Sequence, residues 1–95
     1  MNIPLTPFRT ANHLTEHEDR VALLSDAAAT GDGAALADAL GKVGRAYGMT
    51  KLSEATGIKR QQLYKSLSRD GNPTLSTVTK VLAALGMRLS VERKP

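Results

Sequence analysis

The chain has 95 residues, no cysteine and a formal net charge of +4. Its length supports one small domain, and the missing thiols exclude disulfides and thiolate metal sites, as expected of a cytoplasmic protein. With 41% apolar and only 3% aromatic residues, the core must be built from Leu, Ala, Val and Ile, and no apolar run approaches a membrane span of ~20 residues.

The charge is spread unevenly. Residues 1–40 hold two bases and six acids, 2 − 6 = −4, and residues 41–95 hold eleven bases and three acids, 11 − 3 = +8. Such a split suggests two partners of opposite charge, with nucleic acid facing the basic half. The plainer alternative is an acidic helix and a basic helix sharing one fold.

Residues 1–31 read as an N-terminal arm followed by an acidic helix. The start, MNIPLTPFRTANHL, lacks a basic stretch followed by an apolar run, so no signal peptide is expected. Pro4 and Pro7 discourage helix, while Ile3, Leu5 and Phe8 give the arm apolar points for docking. Thr10 to Leu14 has room for one helical turn. Thr15 and Glu18 then have the form of a capping box, T-x-x-E. A helix is expected from about Glu16 to Ala29, with Val21, Leu24 and Ala28 as its apolar stripe. Thr30-Gly31-Asp32 breaks it.

Residues 32–86 read as the core unit. Asp32 caps a helix from about Gly33 to Tyr47, whose stripe is Leu36, Leu40, Val43 and Tyr47. Gly41 and Gly44 flank that stripe and permit close helix approach, and Gly48 ends the helix. Met49 to Leu67 follows as two short helices joined by a tight turn. Thr50 is placed to cap the first, with Leu52 and Ala55 as its apolar positions. Gly57 supplies the turn and Ile58 an apolar plug. Leu63 and Leu67, four apart, face inward from the second. Lys59, Arg60, Gln61, Gln62, Tyr64 and Lys65 are left outside, and none is acidic.

That is the pattern of a helix-turn-helix, in which the second helix lays its exposed face in the major groove. Arg and Lys donate to guanine edges or phosphates, and Gln pairs with adenine. The residues expected to touch DNA are Thr50, Lys51, Lys59, Arg60, Gln61, Gln62, Tyr64, Lys65 and Arg69. The bland alternative is a helical hairpin with a soluble basic face. Ser68 to Pro73 is a loop, in which Arg69 and Thr74 flank Gly71-Asn72-Pro73 as backbone contacts or as a plain connector. Thr74 caps a helix from about Leu75 to Leu85 with Leu75, Val78, Val81, Leu82 and Leu85 inward, and Gly86 closes it.

Residues 87–95 read as a strand and tail. Met87 to Glu92 alternates apolar and polar. A lone strand is unstable, so a second copy is its simplest partner, which makes Met87, Leu89 and Val91 the dimerisation residues. No enzyme is expected: there is no P-loop and no G-x-S-x-G. His13 and His17 are four apart beside Glu16 and Glu18, but the expected helix start falls between them and no third ligand is evident. Neither a metal nor a cofactor is expected.

The order of these elements resembles the lambda-repressor-like (Cro/C1, XRE) domain and, more narrowly, the HigA-like addiction-module antidote family. The resemblance is carried by LTPF at Leu5–Phe8, ALGKVGRAYGMTKLSEATGIKRQQLYKSLS at Ala39–Ser68, GNPTLSTVTKVLAALG at Gly71–Gly86 and the ending MRLSVE. It implies an all-α bundle of about five helices with a helix-turn-helix and a short C-terminal strand. It also implies an antitoxin that silences a RelE/ParE-like toxin and, as a dimer, represses its own operon at double-stranded DNA. Two-fold pairing would supply half-sites about 34 Å apart. One departure is Lys59, where the second helix of such proteins usually has a Ser or Thr cap. RNA-binding toxins tend to be basic, so Glu16, Glu18 and Asp19 are the expected toxin contacts, against a plain reading as solvated acids. A stand-alone phage- or plasmid-type repressor is the first alternative. A protein-binding antidote with a vestigial helix-turn-helix is the second.

Overall fold

The computed structural model describes residues 16–95. Within them lie five helices: α1 (His17–Ala29), α2 (Gly33–Tyr47), α3 (Met49–Thr56), α4 (Arg60–Ser66) and α5 (Leu75–Ala84). The all-α expectation holds for these residues. The expectations for the arm, for the turn at Thr10 to Leu14, for Thr15 and for His13 lie outside the described residues.

α1 begins one residue later than the capping box implied. Glu16 is its N-cap, and the Glu16 side chain makes no capping bond. Glu18 and Asp19 in the first turn complement the positive end of the helix dipole. The inward face is also turned from the expected one. Leu24 is buried, and Leu23 and Ala27 pack partly buried against the core. Val21 and Ala28 are exposed instead, and they line a groove of about 450 Å3 beside Met87 and Leu89.

The joint between α1 and α2 is closed by side chains. The Thr30 hydroxyl donates to the Ala27 carbonyl at 2.6 Å and accepts from the Asp32 amide at 3.1 Å. The Asp32 carboxylate in turn accepts from the Ala34 amide at 3.0 Å, which is the expected cap.

α2 is the central element and packs against α1, α3 and α4. Leu40 and Val43 of its stripe are fully buried, Leu36 is partly buried, and Tyr47 is half-buried. Both stripe-flanking glycines sit at contacts. A Cβ on Gly41 would run into the backbone carbonyl of Leu67. A Cβ on Gly44 would press on Leu52 Cδ2 at 3.1 Å and Met49 Sδ at 3.3 Å. The core closes around these helices with Leu24, Leu40, Val43, Met49, Leu52, Leu63, Leu67, Val81, Leu82 and Leu85.

α5 starts as expected, the Thr74 hydroxyl accepting from the Thr77 amide at 3.1 Å. Its end is a Schellman motif. The Gly86 amide donates to the Ala83 carbonyl, and the Met87 amide reaches back to the Leu82 carbonyl at 2.8 Å. Leu75, expected inward, is 71% exposed, because the inward face of α5 begins at Val78. No strand follows. Residues 87–95 carry no regular secondary structure, since nothing among the described residues lies beside them as a second strand. Of the three residues expected for dimerisation, Met87 packs partly buried against the core, Leu89 is about half exposed and Val91 is fully exposed.

Gly41→Ala is expected to destabilise the fold by about 2–3 kcal/mol despite the better helix propensity of alanine. Gly33→Ala, where a Cβ meets nothing within 4 Å, should be neutral or stabilising by up to ~1 kcal/mol. Urea unfolding of both variants checks this. Equal stabilities would mean that α2 and the Leu67 carbonyl have room to separate.

Candidate nucleic-acid interface

α3 and α4 form a hairpin whose turn is Gly57-Ile58-Lys59. Gly57 has φ 75°, the left-handed conformation for which glycine was expected. Its amide donates to the Ser53 carbonyl at 2.9 Å. The Ser53 hydroxyl donates to the Ile58 carbonyl at 2.6 Å. The Thr56 hydroxyl donates to the Leu52 carbonyl at 2.7 Å and accepts from the Ile58 amide at 3.2 Å. Ile58 packs partly buried against the core. A turn with this many internal bonds fixes the angle between the two helices.

The buried side of the hairpin is Met49, Leu52, Leu63, Ser66 and Leu67. Leu52, Leu63 and Leu67 were expected there. Ala55 was not confirmed: it is exposed, and Met49 takes the second inward position of α3. Thr50 is not a cap either. Gly48 precedes α3 as its N-cap without a side-chain bond, and Thr50 lies inside the helix. Its hydroxyl accepts from Arg60 Nη1 at 3.0 Å across the turn.

All nine residues expected to touch DNA are exposed: Thr50 and Lys51 on α3, Lys59 at the turn, Arg60, Gln61, Gln62, Tyr64 and Lys65 on α4, and Arg69 beyond it. Five of them are cationic, and α4 itself contains no acid. Lys59 is the N-cap of α4, extended and with no side-chain capping bond, as its chemistry requires. Arg69 Nη1 stands 3.8 Å from the Asp32 carboxylate, with both side chains more than half exposed. A pair so solvated contributes little to stability.

Three cations stand over aromatic rings. Lys51 Nζ lies 4.5 Å from the centre of the Tyr47 ring, and the Arg20 guanidinium lies 5.7 Å from the same ring. The Arg60 guanidinium lies 5.9 Å from the centre of the Tyr64 ring. The Arg20–Tyr47 contact joins two helices 27 residues apart, which periodicity within one helix does not reveal, whereas the other two pairs are each four residues apart.

The acidic residues gather elsewhere. Glu16 and Glu18 are exposed and Asp19 half-exposed at the start of α1, whose main packing partner is α2. Asp38 pairs with Lys42 at 3.3 Å, one turn along α2. His17 is exposed on α1, and no group of three or more metal-ligating side chains occurs among the described residues. No helix among them is long and apolar enough to cross a membrane. Chemically, the hairpin offers what a duplex accepts: guanidinium and amide forks for base edges and ammonium groups for phosphates.

Residues 4–93 match the model of a family described as "Probable addiction module antidote protein". A Haemophilus influenzae protein, described only as uncharacterized, is 37% identical over 93 residues, spanning 98% of this chain and 96% of its own length. No solved structure matches the chain significantly.

The uncapped start of α4 allows a direct test of its local energetics. Lys59→Ser should stabilise the protein by about 1 kcal/mol by capping α4, read as a raised thermal midpoint. An unchanged midpoint would mean that the free amides of α4 are already satisfied by solvent at no cost.

Proposed function

Because the chain belongs to the addiction module antidote family, which implies a toxin as partner, we propose that it is the antitoxin of a type II toxin–antitoxin module. In this reading it works in the cytoplasm, binds a small RelE/ParE-like toxin and, as a dimer, represses its own operon through α3 and α4 acting as a helix-turn-helix in a lambda-repressor-like bundle. The observation that carries the DNA half is the hairpin itself. Its turn is held by the Ser53 and Thr56 hydroxyls, and its outer face holds Lys51, Lys59, Arg60, Gln61, Gln62 and Lys65 in the open. The toxin half rests on charge. The exposed acids at the start of α1 suit a basic RNA-binding partner.

Dimerisation is supported by need and by surface. A single recognition helix reads only a few base pairs, and a two-fold pair reads two half-sites. Leu89 and Val91 are apolar and exposed at the end of the chain, where a second copy would cover them.

Charge reversal of Glu16, Glu18 and Asp19 to Lys should weaken binding to the protein encoded beside this gene by at least about tenfold in dilute salt. Calorimetric titration of the purified pair reads this, and unchanged affinity would move the toxin contact away from α1. Leu89→Asp with Val91→Asp should shift sedimentation from dimer to monomer without lowering helix content. A double variant that still sediments as a dimer would place the two-fold contact on another surface.

A further inference from the structure

The Arg60 side chain is held by two neighbours. Its Nη1 donates to the Thr50 hydroxyl at 3.0 Å, which ties the first residue of α4 to α3 across the turn. Its Cζ stands 5.9 Å from the centre of the Tyr64 ring, four residues along α4. Thr50, Arg60 and Tyr64 are all exposed, so this bracket stands on the outer face of the hairpin and not in the core. Among the described residues, no side-chain hydrogen bond holds Lys59, Gln61, Gln62 or Lys65 in this way.

The bracket costs no recognition capacity. A guanidinium carries five N–H donors. The Thr50 bond uses one, and a bidentate contact to O6 and N7 of guanine uses two. A long side chain loses rotamer freedom on docking, and a guanidinium whose direction is already set loses less. The first residues of a recognition helix are those that reach base edges. Lys59 and Lys51 flank Arg60 in sequence or across the turn and bring point charges suited to phosphate.

Resting on the operator-binding reading above, we propose that Thr50 and Tyr64 position Arg60 to read one guanine in each operator half-site. Thr50 is then a specificity-determining positioning residue and not a general backbone contact. Removing its hydroxyl leaves every charge of the interface in place but frees the guanidinium to wander. Affinity for the specific site should therefore fall while affinity for unrelated duplex stays.

The test uses the full chain and a duplex consensus selected by the wild-type protein from a random-sequence pool. Binding is measured on that duplex, on copies with single guanines replaced by 7-deazaguanine, and on a scrambled duplex. The wild type should lose about tenfold at one symmetry-related guanine pair, Arg60→Ala should be insensitive there, and Arg60→Lys, which keeps the charge without the fork, should be less sensitive than the wild type. Thr50→Val should lose about 3- to 10-fold on the consensus with scrambled-duplex affinity unchanged, and Thr50→Ser should restore binding. Thermal melting of Thr50→Val should match the wild type; if it melts early, the Arg60→Lys comparison, which keeps the charge and removes the fork, decides. Thr50→Val equal to the wild type on the consensus, or weakened equally on both duplexes, overturns the positioning role. A consensus without an Arg60-dependent guanine overturns this inference alone. A wild-type protein that selects no consensus contradicts operator binding itself, and the inference with it.

Discussion

The hairpin is seated on α2 by the absence of two side chains. At Gly41 the Leu67 carbonyl occupies the space a Cβ would need, and at Gly44 the Leu52 and Met49 side chains leave a Cβ only a tight fit. The backbone after α4 and the side chains of α3 thus both lie close against one helix. Everything on the outer face inherits its position from that contact. A helix of seven residues such as α4 is too short to be stable alone. It persists because Leu63 and Leu67 are buried against α2 and α3, and because the turn before it is closed by Ser53 and Thr56.

This arrangement separates the buried residues of the hairpin from those proposed to touch DNA. Inward positions of α3 and α4 are Met49, Leu52, Leu63 and Ser66, and the outward positions are polar or charged apart from Ala55 and the amphipathic Tyr64. Substitutions on the outer face can therefore change recognition with little effect on folding. α1 begins with acids and the outer face of α4 is basic, so one small domain presents both signs of charge. In the proposed antitoxin these would serve two partners.

Much of this was legible in the sequence, for a physical reason. Caps and turn glycines act locally, so Asp32, Thr74 and Gly57 were placed correctly from neighbours alone. Buried stripes on long helices were also legible, as Leu40 and Val43 show. Short helices were harder. With eight residues in α3, two apolar choices fit equally well, and Met49 rather than Ala55 turned inward. Thr50 looked like a cap by residue type, yet Gly48 had already started the helix. Alternation at Met87 to Glu92 suggested a strand, but alternation specifies a strand only when a partner lies beside it. The bond from Arg60 to Thr50 spans ten residues and two helices, and no local rule predicts it.

In the proposed function this antidote binds its own operator by reading bases. The most direct measurement is the affinity of the purified chain for its own upstream DNA and for scrambled DNA, at a low and a moderate salt concentration. A base-reading protein keeps its preference for the upstream DNA as salt rises, while binding to scrambled DNA collapses. Equal affinity for both, lost together with salt, would contradict the claim and leave the hairpin a phosphate-attracting surface on a protein-binding antidote.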